Sequence, residues 1–178
     1  MTNHDPIQHY WHRMALPFAN VVSSLLPATR LFRLRSILFQ IAGVDVDTNA
    51  RLVGGARIHF SNTEIGSGCW INHGCQLYSS QTGRICIGRN VHIGPACLIG
   101  TGTHEIGNAN QRAGKDYSKD IHIGDGVWIG MGVVITAGVR IGKGTVVAAG
   151  SVLIGEYPEN VLIAGVPAIV KNHLNTIE

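Results

Sequence analysis

The chain has 178 residues, with 23 glycines, 14% charged residues and a formal net charge of +3. Average proteins have ~7% glycine and ~25% charged residues. So small a net charge does not support a nucleic-acid groove, and no apolar run reaches the ~18 residues of a membrane span. Four cysteines indicate a disulfide framework only in a short secreted chain. Since the chain starts without the pattern of a secretory signal peptide, we expect one domain in the cytoplasm.

Residues 1–45 are predicted to form an N-terminal helical segment. Two stretches with helical apolar spacing are separated by Pro27, and Pro17 is expected to kink or end the first. The second stretch has an apolar stripe that lies apart from most of its arginines, and the stripe comprises Leu31, Leu34, Ile37, Leu38 and Ile41. This helix could cap the open end of the following domain. Alternatively, it could contact an anionic membrane surface.

Residues 46–156 repeat with a period of six. The most regular block has aliphatic side chains at Ile123, Ile129, Ile135, Ile141, Val147 and Leu153. Earlier blocks contain Ile65, Ile71 and Leu77, then Ile87, Ile93 and Ile99. Hexapeptide repeats are typical of parallel β-helices, in which three short strands make one triangular coil. Ile123 should therefore stack on Ile141, and Ile129 on Val147, with coils ~4.8 Å apart.

Three cysteines fall in the repeat where valine or threonine stands elsewhere: Cys69, Cys75 and Cys97. A free cysteine behaves there as a small buried hydrophobe. We therefore expect these thiols inside the column rather than in disulfides or metal sites.

The repeat is interrupted by a polar segment at residues 105–120. The aliphatic positions on either side, Ile99 and Ile123, are still separated by a multiple of six. The chain should therefore leave the solenoid as an extruded loop and rejoin it in phase. Long loops in a compact protein are usually functional, and His104 stands where this one begins. Residues 157–178 leave the six-residue frame and are expected to fold back along the coils as a C-terminal tail.

Five motifs resemble the hexapeptide-repeat acyltransferases, in particular the maltose/galactoside O-acetyltransferase branch and related enzymes of polysaccharide biosynthesis. They are WINHG at 70–74, TH at 103–104, VWIGMGVVI at 127–135, VVAAGSV at 146–152 and AGVPAIV at 164–170. The resemblance implies an all-β solenoid, a left-handed parallel β-helix with N-terminal helices and a short C-terminal fold-back. It also implies a homotrimer with active sites between subunits.

The resemblance also implies an acetyl-CoA-dependent O-acetyltransferase that acts on a hydroxyl of a sugar or polysaccharide precursor. His104 matches the family's catalytic histidine, the general base for direct attack through a tetrahedral intermediate; an imidazole suits this role near neutral pH. The backbone N–H of Met131 matches a donor to the oxyanion and to the thioester region. Asn72 matches the family's acceptor-contacting asparagine, and Glu105 is a further candidate at the acceptor site. Glu105 or Asp116 is a candidate to orient the imidazole.

The implied donor is acetyl-CoA as co-substrate, without a metal. Besides Met131, its binding track would include Ala149, Gly165, Pro167 and Lys171. The chain differs from the branch at three places. Ser79 and Ser80 replace an acidic pair, and Ile154–Gly155 replaces a threonine–lysine pair. Ile169 replaces a basic residue, so that a phosphate contact is missing unless Lys171 substitutes for it. The acidic pair contacts sugar hydroxyls in the relatives, so we expect a different acceptor here.

The sequence leaves several other functions open. N-acetylation of an amino sugar or nucleotide sugar would use the same base and donor track, and the donor could be a longer acyl chain on a carrier protein. A γ-carbonic-anhydrase-like zinc site needs a denser histidine set than His104 and His122 provide. A non-catalytic trimeric solenoid is the remaining alternative, and peripheral membrane contact through the N-terminal helices fits either kind of protein.

Overall fold

The computed structural model describes residues 6–175, with side chains from Met14 onward. The outer ends of the two predicted terminal segments, residues 1–5 and 176–178, lie outside the described residues. The helices are α1 (Pro6–Leu25) and α2 (Phe32–Ile41). The strands, in chain order, are β1 (Asp45–Val46), β2 (Arg51–Leu52), β3 (Arg57–Ile58), β4 (Thr63–Ile65), β5 (Trp70–Ile71), β6 (Gln76–Tyr78), β7 (Ile85–Ile87), β8 (His92–Ile93), β9 (Leu98–Gly100), β10 (Gly102–Ile106), β11 (Ala113–Ser118), β12 (Ile121–Ile123), β13 (Trp128–Ile129), β14 (Val134–Ile135), β15 (Arg140–Ile141), β16 (Val146–Val147), β17 (Val152–Leu153), β18 (Glu156–Tyr157), β19 (Val161–Gly165) and β20 (Ala168–His173).

Consecutive short strands belong to different sheets, which is the pairing of a three-sided solenoid. Sheet 1 has the order β1-β4-β7-β12-β15-β18, sheet 2 the order β2-β5-β8-β13-β16-β19-β20, and sheet 3 the order β3-β6-β9-β14-β17. All neighbours within these sheets are parallel except β19 and β20. The predicted fold is confirmed: the chain forms a left-handed parallel β-helix.

The six-residue period specifies the core. Ile123 pairs with Ile141, and Ile129 with Val147, as predicted. Each of these side chains is at most 3% exposed, because the aliphatic position of each of these coil strands points into the column. The three predicted interior thiols are also buried, and all four cysteines are free: Cys69, Cys75, Cys86 and Cys97.

The two helices cap the first coil largely through polar contacts. An open β-helix end presents backbone N–H and C=O groups that need partners. The side-chain amide of Asn20 in α1 donates to the Ile58 carbonyl at 2.7 Å and accepts from the Ile58 N–H at 3.1 Å. In α2, Ser36 donates to the Ala50 carbonyl at 3.0 Å, and Gln40 to the Val46 carbonyl at 2.7 Å.

The face of α2 that contacts the solenoid only partly overlaps the predicted apolar stripe, of which Leu38 packs against the core. Its buried residues are Arg35, Ser36 and Phe39, whereas Leu34 and Ile41 of the stripe are 42% and 73% exposed. Arg35 is inward because its guanidinium donates to backbone carbonyls at the α1–α2 connection, including Leu26 at 3.0 Å and Pro27 at 2.8 Å. Apolar periodicity alone could not identify this face. The helix α1 also runs through Pro17 without ending.

No helix within residues 6–175 is long and apolar enough to cross a bilayer.

Candidate active site

The polar excursion is an ordered antiparallel hairpin rather than an irregular loop. It begins at Gly102, just after β9 of sheet 3, and β10 pairs with β11. Gly102 faces Ser118 and His104 faces Asp116 in the ladder. No residue of the hairpin, 102–118, is buried in the single chain. The hairpin therefore carries its side chains away from the column.

His104 is exposed on β10 and is held by a backbone group. Its Nδ1 lies 3.1 Å from the carbonyl oxygen of Gly114. Because a carbonyl can only accept, this contact assigns the proton of the neutral imidazole to Nδ1 and the lone pair to Nε2. Nε2 has no hydrogen-bond partner in the described part of the chain. An imidazole held in this way can accept a proton at Nε2.

The structure assigns the orienting role to Gly114 rather than to either candidate carboxylate. Asp116 is the ladder partner of His104 but makes no side-chain hydrogen bond within residues 14–175. Glu105 is exposed and lies at an irregularity of the ladder between His104 and Ile106. Glu105 is adjacent to His104 in sequence, but within residues 14–175 its side chain makes no hydrogen bond to the imidazole.

Gly114 has a steric reason to be glycine. A Cβ there would lie 2.8 Å from the carbonyl oxygen of Glu105 and 3.2 Å from the N–H nitrogen of Gly107. The close approach of the two strands is what brings the Gly114 carbonyl to His104. Gly114 was not predicted as a site residue, since its only signal in the sequence is a glycine inside a polar segment.

The two serines that replace the branch's acidic pair have structural partners. The Ser79 hydroxyl is buried, 2.9 Å from the Thr63 hydroxyl, and donates to the Phe60 carbonyl at 3.1 Å. The Ser80 hydroxyl donates to the Ser118 hydroxyl at 2.7 Å and accepts the Gly83 N–H at 2.8 Å. Ser80 thus ties the base of the hairpin to the preceding coil.

Three of the remaining candidates lie along one corner of the solenoid, between sheets 2 and 3. Asn72 follows β5, Met131 follows β13, and Ala149 follows β16. Met131 and Ala149 stand in adjacent coils, where the Gly150 N–H donates to the Met131 carbonyl at 2.8 Å. The structure therefore brings together the donor-track candidates of the late coils.

The backbone at this corner is open to a ligand. Met131 is 61% exposed, and its N–H has no partner in the described part of the chain. Within the described part of the chain, backbone N–H groups without a hydrogen-bond partner recur at the same position of other hexapeptides, for example at Lys143. The open N–H of Met131 is therefore a feature of the hexapeptide repeat. Ala149 is small and exposed, and Gly130 beside it has no room for a Cβ, which would lie 2.5 Å from the Ala149 nitrogen. An extended chain could lie against this strip.

The side-chain amide of Asn72 already makes two hydrogen bonds within the solenoid. Its amide donates to the Ile93 carbonyl at 2.9 Å and accepts the Trp70 indole N–H at 3.3 Å. The amide still has a second N–H and a second lone pair for a ligand. The indole of Trp70 in turn packs against Phe32 of α2.

The C-terminal candidates lie on the fold-back. Gly165 ends β19 with φ +114°, and its N–H donates to the Ser151 hydroxyl at 3.2 Å. This bond joins the fold-back to the same corner. Pro167 and Lys171 are exposed, and Lys171 stands at a register shift between β19 and β20.

The two groups of candidates do not meet within one chain. The hairpin with His104 leaves sheet 3 at its corner with sheet 1, whereas Asn72, Met131 and Ala149 lie at the corner of sheets 2 and 3. The width of sheet 3 separates the bases of these groups.

Residues 14–175 contain no cluster of three histidine, cysteine or acidic side chains that could hold a metal ion. The three interior cysteines are buried, so their thiols are shielded from a substrate. Burial raises the pKa of Cys69, whose thiol donates to the Gly88 carbonyl at 2.9 Å. The observed geometry thus offers an imidazole and backbone N–H groups as its reactive elements.

Comparison with known proteins gives mainly acetyltransferases. Residues 120–155 match the bacterial transferase hexapeptide family (six repeats). The chain is 36% identical over 122 residues to the galactoside O-acetyltransferase of Lactococcus lactis subsp. lactis (strain IL1403), a match that covers 68% of this chain and 56% of that protein. The chain thus spans little more than half the length of this curated relative.

Two solved structures are similar over nearly the whole chain. A maltose O-acetyltransferase from Clostridium difficile 630 has a TM-score of 0.73 at 27% identity, covering 96% of this chain and 90% of that one. A galactoside acetyltransferase in complex with coenzyme A has a TM-score of 0.78 at 27% identity, covering 98% and 86%. The chain is thus similar to hexapeptide-repeat acyltransferases in both sequence and fold. Its relatives are of the galactoside and maltose O-acetyltransferase type.

Proposed function

We propose that this protein is an acetyl-CoA-dependent O-acetyltransferase that acts on a hydroxyl of a sugar or polysaccharide precursor. One observation carries the proposal. On a hairpin that projects from the solenoid, the Nδ1–H of His104 is bonded to the Gly114 carbonyl, and Nε2 is exposed with a free lone pair. The similarity to a galactoside acetyltransferase in complex with coenzyme A supports the donor.

In the proposed reaction, Nε2 of His104 accepts the proton of the acceptor hydroxyl as the oxygen forms a bond to the thioester carbonyl of acetyl-CoA. The Met131 N–H donates to the resulting oxyanion. The C–S bond then breaks, the acetyl ester leaves, and the imidazolium returns its proton to the thiolate of coenzyme A. The Gly114 carbonyl supports the charged imidazolium, because it accepts the Nδ1–H in both states.

The proposed binding site for acetyl-CoA lies along the exposed corner between sheets 2 and 3. The small residues around Ala149 let the pantetheine arm approach the backbone. Gly165 and Pro167 would flank its far end, and Lys171 would supply a cation for the phosphates. On the acceptor side, Asn72 and Glu105 are the polar groups assigned to the sugar. Ser79 and Ser80 are occupied by structural bonds, which supports an acceptor other than that of the galactoside enzymes.

The separation of His104 from the Met131 corner supports a homotrimer in which adjacent subunits complete each site. A cyclic arrangement of three-sided solenoids sets the hairpin of one chain beside a corner of the next. The four free cysteines are consistent with a reducing compartment such as the cytoplasm. Peripheral membrane contact through the N-terminal helices would fit a lipid-linked precursor as acceptor.

The direct test is release of coenzyme A from acetyl-CoA across sugars, nucleotide sugars and amino sugars. His104→Ala should lower the rate with the best acceptor by about 10²–10⁴-fold. The matched control is His122→Ala, a histidine on the outer face of sheet 1. Unchanged activity in His104→Ala would reject the proposed base, and transfer to amino sugars alone would redirect the assignment to N-acetylation.

The shared site has its own test. Ala149→Trp should block the donor track, and His104→Ala should remove the base, so each variant alone is expected to be inactive. Co-expression should restore part of the activity, because mixed trimers contain some sites with both intact halves. Failure of mixed trimers to regain activity would place both halves of the site in one chain.

A further inference from the structure

The outer face of the N-terminal cap is apolar on both helices. In α1, Met14, Phe18, Val21 and Leu25 are between 57% and 80% exposed. They recur at spacings of three and four residues, which places them on one face of the helix. The residues of α1 that face the solenoid, Leu16 and Ala19, are at most 4% exposed.

The helix α2 repeats this division. Leu34, Ile37 and Ile41 are 42–73% exposed, opposite the buried face of Arg35, Ser36 and Phe39. Both helices contact each other and the first coil, so their free faces point away from the same end of the solenoid. Together with Leu31, these side chains form an outer cap surface: Met14, Phe18, Val21, Leu25, Leu31, Leu34, Ile37 and Ile41. Contiguous apolar surface of this kind marks an interaction site.

The charge of the cap identifies the chemistry of its partner. Residues 6–44 contain four arginines and no acidic residue, which leaves ten basic and eleven acidic side chains in the rest of the chain. The positive charge of the protein thus resides in the cap. Arg30 and Arg33 are exposed beside the outer cap surface, whereas Arg35 is engaged with backbone carbonyls.

This charge pattern disfavours a second copy as the occupant. In a two-fold contact, the same patch meets itself, so Arg30 and Arg33 would face identical arginines with no carboxylate from either cap helix. An anionic lipid surface instead matches both components, since apolar side chains enter the interface and arginines meet the headgroups.

We propose that the outer cap surface docks end-on to an anionic lipid bilayer. The solenoid would then stand on the membrane rather than lie along it. In a cyclic trimer with its axis along the coils, three caps would face the same membrane, and weak individual contacts would add through avidity. This inference goes beyond the proposed acetyl transfer and does not depend on it.

The test is flotation of the full chain with vesicles. Binding is expected to vesicles of phosphatidylcholine mixed with phosphatidylglycerol, to weaken with added salt, and to be much lower with phosphatidylcholine alone. The double variant Phe18→Ser/Ile41→Ser should reduce the partition coefficient by at least about tenfold. Arg33→Gln should reduce it less and diminish the salt effect.

The matched control is Ile154→Ser, which removes a 60% exposed isoleucine from the late coils, with vesicle binding as its readout. Thermal unfolding of every variant checks the fold. Absence of binding by the wild-type protein to anionic vesicles would overturn the proposal. So would a change of oligomeric state in Phe18→Ser/Ile41→Ser without a change in lipid binding, since the surface would then be a protein interface.

Discussion

The coils and the hairpin are both built from short β-strands, but the strands of the coils are aliphatic and buried whereas those of the hairpin are polar and exposed. In the coils, each aliphatic side chain is stacked between equivalents above and below, and Ile129 is fully buried between Ile93 and Val147. In the hairpin, no side chain is buried, and Ile106 is 89% exposed. The hairpin depends on its own ladder and on the Ser80–Ser118 bond at its base.

This difference separates stability from chemistry. Burial in the column supplies the free energy of folding, so the coils can be built from residues with no reactive groups. The hairpin contributes little burial in the single chain and can therefore present His104 to a ligand. Substitutions in the two regions should affect different measurements.

The largest difference is expected for the same substitution made in each region. Ile129→Ala should lower the free energy of unfolding by about 2–5 kcal/mol, because it leaves a cavity in the column. Ile106→Ala should change it by less than about 0.5 kcal/mol, because that side chain is exposed. Chemical denaturation at one fixed protein concentration provides the comparison. Similar losses at both sites would mean that the hairpin is buried in the assembly.

A smaller effect, confined to activity, is expected from the hairpin glycines. Gly114→Ala introduces a Cβ 2.8 Å from the Glu105 carbonyl oxygen, so the strands must separate and move the carbonyl that holds His104. We expect kcat to fall by about tenfold, with little loss of stability.

The pH dependence of kcat should change with it, because the altered bond is to the proposed base. Gly102→Ala is the control, since its Cβ would meet no atom within 4 Å. An equal effect of both substitutions would remove the positioning role from Gly114.

The smallest effect concerns an ion pair on the outside of the coils. Asp125 accepts the Arg89 N–H at 2.7 Å and the Arg89 guanidinium at 2.9 Å. These bonds hold the pKa of Asp125 below its ordinary value of 3.8. A depressed folded-state pKa stabilises the protein above the unfolded-state value, and the contribution disappears as the pH falls through the folded-state pKa.

Asp125→Asn should therefore lower the melting temperature slightly at neutral pH, and the difference from wild type should narrow below about pH 4. Asp116→Asn, which removes a hairpin carboxylate without a described side-chain hydrogen bond, should show no such convergence. A constant difference at every pH would mean that the carboxylate's charge is not what stabilises this corner.

The coils were predictable because their burial is periodic. With three six-residue strands in each coil, this spacing places Ile123 over Ile141, as the structure shows. The hairpin strands have no buried face, so their pairing could not appear as a hydrophobic period. The cap was only half predictable, because the inward face of α2 depends on the carbonyls that Arg35 reaches.

The candidate site was also only partly predictable from the sequence. His104 could be selected from nine histidines because it stands where the repeat stops and matches a family motif. Its partner could not be predicted, since the Gly114 carbonyl reaches it only through the register of the hairpin. The separation of His104 from Met131 required the three-dimensional order of the sheets.

The reversed direction of β20 has a consequence for how long such a molecule can grow. It pairs antiparallel with β19 on the last turn of sheet 2, while the helices cover the first turn. On sheet 2, a further parallel strand from another molecule therefore finds the edge of β19 already occupied. Addition of a complete three-strand turn is obstructed on this side, although β17 and β18 are the last described strands of their own sheets.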